Sequence, residues 1–201
     1  MRLSRRHLGL LAAAAPLAPA TLHAQDDPRL AARGTGSAEA PVVVTEFFSL
    51  TCGHCANFHM TVWPEVRDRL VNTGRVRVIW RDFPLDQIAL LAAGVARAMP
   101  AERYEAFLTV LFRTQSRWAY TQGRQVQELA ALAAAAGMDE ATFRGVTEDE
   151  AYLRAILAQR FEAQETHQIR ATPSFLFNGR LQTGGVSYRE FENLVQSAPR
   201  A

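Results

Sequence analysis

Residues 46–59 read Glu-Phe-Phe-Ser-Leu-Thr-Cys-Gly-His-Cys-Ala-Asn-Phe-His and contain both cysteines of the 201-residue chain. Two residues separate Cys52 from Cys55, so a disulfide between them closes a very small ring. Because the stabilisation from a disulfide increases with the length of the loop that it closes, this pair is poorly placed as a structural crosslink. The spacing therefore favours a reversible redox pair.

Other uses of a Cys-x-x-Cys pair need ligands that the sequence does not obviously supply. Structural zinc sites take four ligands and iron–sulfur clusters need more thiolates. Haem attachment requires a histidine directly after the second cysteine, where Ala56 stands. A copper- or zinc-binding protein that uses Cys52, Cys55 and His59 stays open as an alternative, although a packed or exposed helical histidine is more common. We expect no resident cofactor besides the Cys52–Cys55 disulfide and no bound metal.

The segments around the cysteines predict a strand, a helix and a second strand. Pro41–Phe48 is apolar on both alternating faces, which is typical of a central strand buried on both sides. Beyond the cysteines, apolar residues recur every four positions from Phe58 to Leu70 and indicate an amphipathic helix, which Pro64 should bend or restart. Arg75–Arg81 alternates like a strand, and the long connection implies parallel pairing with the first strand.

The rest of the chain divides into a helical block and a final β-β-α unit. From Asp86 to about His167 the pattern predicts four or five helices and no strand, with Thr147–Glu150 as a capping box for the last helix. Further on, Asn178-Gly179 predicts a type I′ turn. The units around this turn are the strands Ser174–Phe177 and Arg180–Thr183, then a helix capped by Ser187–Glu190 that ends near Gln196.

This order of elements predicts an α/β protein with a thioredoxin-like fold and an inserted helical domain. The expected divisions are a signal peptide (1–24), a flexible N-terminal segment (25–40), a first thioredoxin-like part (41–85), the helical insertion (86–166) and a second thioredoxin-like part (167–199).

The N-terminal residues have the features of an export signal. A basic start precedes an apolar stretch, Leu8–Ala20, that two prolines interrupt and that is shorter than the ~20 residues of a transmembrane helix. Arg5-Arg6 leaves the Sec and twin-arginine routes equally open. We therefore expect a periplasmic protein. Removal of residues 1–24 takes away three arginines and changes the net charge from +2 to −1, so nucleic acid binding has no electrostatic support.

Cys52 falls where the first strand gives way to a helix. A sulfur at a helix N-terminus lies among unpaired backbone N–H groups at the positive end of the helix dipole, which favours the thiolate. A charged His54 would add to this effect. Stabilising the thiolate stabilises the reduced form and makes the disulfide a stronger oxidant. Cys55 lies one turn further along and is expected to be more buried.

The motif Glu46-Phe-Phe-Ser-x-x-Cys52-Gly-His-Cys55, together with the helical insertion and Thr172-Pro173 before a hairpin, resembles the DsbA family of periplasmic thiol:disulfide oxidoreductases. The resemblance implies that Cys52 attacks, that Cys55 resolves mixed disulfides, and that Pro173 is a cis-proline facing the disulfide. The backbone of Thr172 would pair with an extended substrate. Protein disulfide isomerases also carry Gly-His between the cysteines, so reductase or isomerase activity stays open beside oxidase activity.

The resemblance also implies partners. Reduced or unfolded exported proteins would be the substrates, and a membrane protein like DsbB would reoxidise the cysteines. Bacterial isomerases of this type carry an additional N-terminal dimerisation domain, for which residues 25–40 are too few. We therefore expect a monomer.

Glu46 is a carboxylate on an otherwise apolar strand. It could pass a proton to or from Cys55 when the disulfide opens or closes. Alternatively, it could form an ion pair with Arg77 or Arg81. The DsbA family often pairs this carboxylate with a lysine, but the chain contains no lysine. Since arginine stays charged, water would have to complete the proton relay.

Overall fold

The computed structural model describes residues 27–199. The predicted signal peptide and its cleavage site lie outside these residues. Within the described part of the chain, no helix combines the length and the apolar character needed to cross a membrane.

Five strands and nine helices make up residues 27–199. The strands are β1 (Arg33–Thr35), β2 (Val42–Phe48), β3 (Val76–Asp82), β4 (Ser174–Phe177) and β5 (Arg180–Thr183). The helices are α1 (Gly53–Thr61), α2 (Trp63–Val66), α3 (Gln87–Ala98), α4 (Ala101–Arg113), α5 (Gln115–Trp118), α6 (Gln125–Ala135), α7 (Glu140–Glu148), α8 (Glu150–His167) and α9 (Tyr188–Gln196). A short 3₁₀ helix covers Pro28–Leu30, and a π-helical turn covers Arg67–Val71.

The strands form one sheet in the order β1-β3-β2-β4-β5. β2 is central and runs parallel to β3, with Val44 opposite Val78, and antiparallel to β4, with Val44 opposite Phe177. Both predictions for β2, its central position and its parallel pairing, are confirmed. Val44 and Phe48 belong to the main core, whereas Phe47 packs in a second cluster on the opposite face, which explains why the strand is apolar on both faces.

Proline interrupts the helix that follows the cysteines, as predicted. α1 ends at Thr61, and Pro64 lies in the first turn of α2, where a missing backbone N–H has no cost to the helix. The restart places Trp63 against Trp80 of β3, with ring centroids 5.5 Å apart. The second helix of the pair therefore packs on β3.

The segment 25–40, which the sequence predicts to be flexible, contains regular structure at Pro28–Leu30 and Arg33–Thr35, while residues 25 and 26 lie outside the described range. Asp27 caps the short helix at Pro28–Leu30, and β1 pairs antiparallel with the edge of β3. The guanidinium of Arg29 stacks 3.7 Å from the ring centre of Tyr152 on α8. The composition of this segment resembles that of a linker. The segment is nevertheless held in place by hydrogen bonds to the edge of β3 and by the stacking of Arg29 on Tyr152.

The helical insertion contains six helices, α3 to α8, and no strand, so four or five was an underestimate. The additional helix, α5, is a single turn that a periodicity argument does not detect. The Thr147–Glu150 capping box is also wrong. α7 continues through Thr147, and Asp149 caps α8 by accepting a hydrogen bond from the backbone N–H of Tyr152 at 3.0 Å. Aspartate is one of the strongest N-cap residues, and the hydroxyl of Thr147 donates instead to the carbonyl of Phe143.

The final unit follows the prediction closely. Asn178 and Gly179 both have positive φ angles, 45° and 87°, as a type I′ turn requires. Ser187 and Glu190 form a complete capping box at the start of α9, which ends at Gln196. The loop between β5 and α9 brings residues 185–187 beside α1.

Candidate active site

Cys52 is the N-cap residue of α1, which confirms its predicted position at the start of the helix. The turn that leads into it is closed by a hydrogen bond from the Cys52 N–H to the carbonyl of Ser49, at 3.1 Å. Both cysteines are present as free thiols. The structure therefore describes the reduced pair at the end of the central strand.

The thiolate form of Cys52 is strongly stabilised. A hydrogen bond from the Cys55 thiol, helped by the side chain of Thr172 and by the backbone N–H groups of Cys55 and His54, lowers the pKa of Cys52 to about 5, against the opposing effect of burial. Cys52 is 9% exposed. With this pKa it is mostly ionised at neutral pH.

Cys55 has the opposite character. It is fully buried, and burial raises its pKa far above the ordinary thiol range, with further upward effects from the Cys52 thiolate and the Glu46 carboxylate. The sulfur of Cys55 therefore holds its proton and donates it to the Cys52 thiolate. One sulfur of the pair is a ready nucleophile and the other is a protonated, enclosed neighbour.

Thr172 and Pro173 lie directly against Cys52. The peptide bond between them is cis, and the Sγ atom of Cys52 is 3.3 Å from the carbonyl oxygen of Thr172. Within residues 27–199, neither backbone group of Thr172 forms a backbone–backbone hydrogen bond outside the regular elements, whereas the Pro173 carbonyl accepts one from Gly184 at 2.9 Å. The arrangement leaves the backbone of Thr172 available beside the nucleophile.

His54 is exposed, and no side-chain hydrogen bond of its ring is present within the described chain. The backbone N–H of His54 contributes to the low pKa of Cys52, but its imidazole is not among the causes of that shift. His54 instead forms one end of an open groove of about 520 Å³ beside the cysteines. The groove is lined by one side of α1 and by the loop before α9, through His54, Asn57, Phe58, Thr61, Val62, Gly185, Val186 and Ser187.

Glu46 is buried and pairs with neither Arg77 nor Arg81 in the described chain, so the alternative role as an arginine partner is wrong. Its carboxylate oxygens lie 3.2 and 3.1 Å from Nε2 of His59 on α1. Arg81 binds Glu162 on α8 at 2.9 Å instead. Successive side chains of a strand point to opposite faces, so Arg77 and Arg81 at odd positions lie on the face of β3 away from its buried residues.

The alternative metal site is not assembled. Among residues 27–199, no three His, Cys, Asp or Glu side chains are grouped so that they could hold a metal ion. His59, the third ligand of that hypothesis, directs Nε2 at Glu46 and stacks on Phe112, with ring centroids 4.3 Å apart.

The helical insertion contacts the active-site turn through polar groups that the sequence did not reveal. Gln115, in α5, donates its side-chain amide to the carbonyls of Leu50 and Cys52, at 2.8 and 3.1 Å. The hydroxyl of Tyr120 donates to the carbonyl of Thr51 at 2.8 Å, and the hydroxyl of Thr51 donates to Asp86. The acceptors are mostly backbone carbonyls, which carry no sequence signal, so pattern reading could not have found this contact.

Known proteins resemble this chain in sequence and in fold. The family model described as Thioredoxin matches residues 31–197. A protein from Rickettsia felis, named as a protein-disulfide oxidoreductase, is 26% identical over 81% of this chain. The matched region covers only 58% of the length of that relative.

Solved structures extend the likeness. The crystal structure of alpha-DsbA1 from Wolbachia pipientis matches with a TM-score of 0.77 and 26% identity, covering 83% of this chain and 90% of the other. BdbD from Bacillus subtilis, at 19% identity and a TM-score of 0.71, covers 82% of this chain and 91% of its own, and supports the fold alone. The predicted thioredoxin-like fold and the predicted likeness to DsbA proteins are confirmed.

Proposed function

Because the chain belongs to the thioredoxin family and folds as DsbA proteins do, we propose that it is a thiol:disulfide oxidoreductase that donates its Cys52–Cys55 disulfide to exported proteins. The observation that carries this proposal is the pair of opposite sulfur environments. Cys52 has a pKa of about 5 at a helix N-terminus, and burial holds Cys55 as a thiol. A protein that stabilises its own dithiol state in this way releases its disulfide readily.

The reaction proceeds in two exchanges. A substrate thiolate attacks Sγ of Cys52, a substrate–Cys52 disulfide forms, and Cys55 leaves with the electron pair and takes up a proton. A second substrate thiolate then attacks the substrate sulfur of the mixed disulfide, and Cys52 leaves as its stabilised thiolate. The substrate is oxidised by two electrons and the protein is reduced by two, so each cycle consumes one Cys52–Cys55 disulfide.

The surroundings of Cys52 support a peptide substrate. The backbone of Thr172 is placed to pair with an extended segment beside the sulfur, and the groove from His54 to Ser187 can receive its side chains. Glu46 would act as the buried proton carrier for Cys55, since its charge already acts on that thiol.

The remaining parts of the proposal concern location and partners. The N-terminal sequence supports export to the periplasm by the Sec or twin-arginine route. There, a DsbB-like membrane protein would restore the disulfide, and the protein would act as a monomer without a resident cofactor.

The direct test is disulfide transfer to a reduced, unfolded protein by the oxidised chain. We expect the wild type to transfer one disulfide per molecule, and Cys52→Ser and Cys55→Ser, which cannot form the Cys52–Cys55 disulfide, to transfer none. When reduced Cys55→Ser instead meets a substrate that already contains a disulfide, the Cys52 thiolate should attack that disulfide and remain joined to the substrate as a mixed disulfide. A wild-type chain that retains copper or zinc tightly and transfers no disulfide would contradict the proposal.

Equilibration with glutathione separates an oxidase from a reductase or isomerase. We expect the Cys52–Cys55 disulfide to be reduced by glutathione under conditions in which thioredoxin, at about −270 mV, stays oxidised. A potential close to that of thioredoxin would favour the reductase activity.

A further inference from the structure

Leu85, Asp86 and Tyr120, which we call the insertion patch, meet the turn before Cys52 and are not among the residues that line the groove described above. Leu85 and Asp86 directly precede α3, and Tyr120 follows α5. The hydroxyl of Thr51 donates to Oδ2 of Asp86 at 2.7 Å. The hydroxyl of Tyr120 donates to the carbonyl of Thr51 at 2.8 Å. Both side chains are therefore anchored to the residue that precedes the reactive cysteine.

Two members of the insertion patch offer apolar surface to solvent. Tyr120 is 56% exposed even though its hydroxyl is bonded to the turn. Leu85 is 47% exposed, and its backbone N–H donates to the hydroxyl of Ser49 at 3.4 Å. An anchored aromatic ring attracts a cation over its face, and an apolar neighbour can cover the alkyl stem of a long basic side chain.

The third member gives the patch a negative charge. Asp86 is exposed; its Oδ1 accepts from the backbone N–H of Ala89 at 2.8 Å and its Oδ2 accepts from Thr51. An ionised carboxylate has about four lone-pair sites, so each oxygen can accept another hydrogen bond. Burial, then the negative charges of Cys52 and Asp86, raise the pKa of Tyr120, and no arginine is among the causes. The phenol thus lies within the field of both anions.

Capping of α3 explains only one of the contacts of Asp86. The cap uses Oδ1, and asparagine caps a helix about as well as aspartate does. The cap therefore needs a side-chain oxygen at this position but not a full negative charge. A substitution can separate the two roles.

Resting on the function proposed above, we propose that the insertion patch is a subsite for a cationic side chain, arginine or lysine, that flanks the reacting cysteine of a protein substrate. The cation pairs with the Asp86 carboxylate and lies over the ring of Tyr120, and its alkyl stem contacts Leu85. Asp86 repels an approaching substrate thiolate, and a flanking cation offsets this repulsion. The subsite thereby selects cysteines that lie in basic segments.

The test uses the oxidised wild-type protein and three blocked peptides that contain one cysteine and differ only in the two residues beside it, which are Arg, Gln or Glu. The measured quantity is the second-order rate constant for opening of the Cys52–Cys55 disulfide at neutral pH, from acid-quenched samples, divided by the thiolate fraction of each peptide. We expect the Arg peptide to react about tenfold faster than the Gln peptide, and the Glu peptide to react more slowly than both. The Arg-to-Gln ratio should fall in about 1 M salt, because ions screen the pairing.

Asp86→Asn keeps a capping side chain and removes the charge, and Asp86→Ser does the same with a different cap. We expect the Arg-to-Gln ratio to fall to about threefold in each, which leaves the contribution of the Tyr120 ring. The matched control is Asp139→Asn. Asp139 caps α7 by accepting from the backbone N–H of Thr142 at 2.8 Å, the same distance as in the cap of α3, so the control loses the same charge from the same kind of position. It should keep the wild-type ratio.

Two results would overturn the inference. One is an Arg-to-Gln ratio in both Asp86→Asn and Asp86→Ser that equals the ratio of the wild type. The other is equal rates of all three peptides with the wild type. In either case the wild type still oxidises the Gln peptide, so the proposed function stands and this inference alone fails. A wild-type disulfide that none of the three peptides opens would instead overturn the proposed function, and the inference with it.

Discussion

The side-chain amide of Gln115 donates a hydrogen bond to the carbonyl oxygen of Cys52 at 3.1 Å, from the helical insertion to the residue that carries the reactive sulfur. The same nitrogen reaches the carbonyl of Leu50 at 2.8 Å, and Gln115 is only 6% exposed. The insertion therefore does more than cover the sheet. It fixes the backbone of the turn from which Cys52 projects.

Replacing Gln115 by leucine tests this fixation. The change leaves two buried carbonyls without their donor, so we expect a loss of about 2 kcal/mol in the free energy of unfolding. The turn should also loosen, and the Cys52 pKa should rise from about 5. Urea unfolding and thiolate absorbance measure the two effects. Gln182→Leu, which removes one exposed hydrogen bond to the carbonyl of Thr183, should change stability by less than about 1 kcal/mol and serves as the control. Equal effects of the two variants would speak against a special role for Gln115.

The hydroxyl of Thr172 also contributes to the stability of the Cys52 thiolate. It is buried and without a partner while the Cys52 thiol donates to the Thr172 carbonyl. Once Cys52 ionises, the sulfur becomes an acceptor, and the Thr172 side chain lowers the Cys52 pKa.

Thr172→Val preserves the shape of the side chain and removes this donor. A hydrogen bond to a charged group contributes about 1.5–3 kcal/mol, so we expect the pKa of Cys52 to rise by about one to two units. Thiolate absorbance of the reduced protein gives the midpoint directly. Thr183→Val, at the exposed end of β5, should leave the midpoint in place. An unchanged midpoint in Thr172→Val would show that the helix N-terminus and Cys55 suffice.

The ionisation of Cys52 predicts how stability depends on pH. The folded pKa is about 5 and the ordinary value is 9.0, so between these pH values the folded chain has released a proton that the unfolded chain retains. The stabilisation is complete above about pH 9 and is lost as the pH falls through 5. Cys55 affects stability in the opposite direction. Because its folded pKa is raised, Cys55 does not change stability below pH 9.0. Above that pH it lowers stability, since the unfolded chain loses a proton that the folded chain keeps.

The measurement is the free energy of unfolding of the reduced and oxidised proteins at several pH values. From pH 5 to 9, we expect the free energy of unfolding of the reduced form to increase relative to that of the oxidised form. The increase should be at most about 5 kcal/mol, since solvent contact at Cys52 screens the effect. In Cys52→Ser, which cannot form the disulfide, the rise in stability from pH 5 to 9 that the reduced wild type shows should be absent. A pH-independent difference between the two forms of the wild type would contradict the stabilised thiolate.

The sequence predicted those parts of the fold that depend on local chemistry. The type I′ turn at Asn178-Gly179, the box at Ser187–Glu190 and the break at Pro64 each follow from the conformations that a few side chains permit. The position of Cys52 at a helix start followed from a strand running into a helical pattern.

What the sequence could not provide was the identity of partners distant along the chain. The sequence leaves His59 open as a metal ligand or as a packed or exposed residue, and Glu46 as a proton carrier or a partner of arginine. In the structure the two side chains contact each other across β2 and α1. The contacts of Gln115 and the pairing of β1 arise in the same way. Each depends on which elements pack together, and a residue pattern within one element does not contain that information.

A buried ion pair between Arg97 and Asp82 joins the helical insertion to β3. Both side chains are almost fully enclosed, at 1% and 2% exposure, and the Arg97 guanidinium also donates to the carbonyls of Arg29 and Ala31 in the N-terminal segment. Arg97 therefore connects three parts of the chain: α3, the end of β3 and the segment before β1.

Arg97→Met should show the consequence of leaving Asp82 enclosed without its partner. Removal of one member of a buried pair typically lowers stability by about 3–5 kcal/mol, and here two backbone carbonyls lose a donor as well. The matched control is Arg81→Met, whose pair with Glu162 is solvent-exposed and should contribute at most about 1 kcal/mol. Urea unfolding of the reduced proteins compares the two, and limited proteolysis should cleave near residues 29–35 first in Arg97→Met. Similar stabilities of the two variants would mean that the N-terminal segment is held by β1 pairing and the Arg29–Tyr152 stack rather than by Arg97.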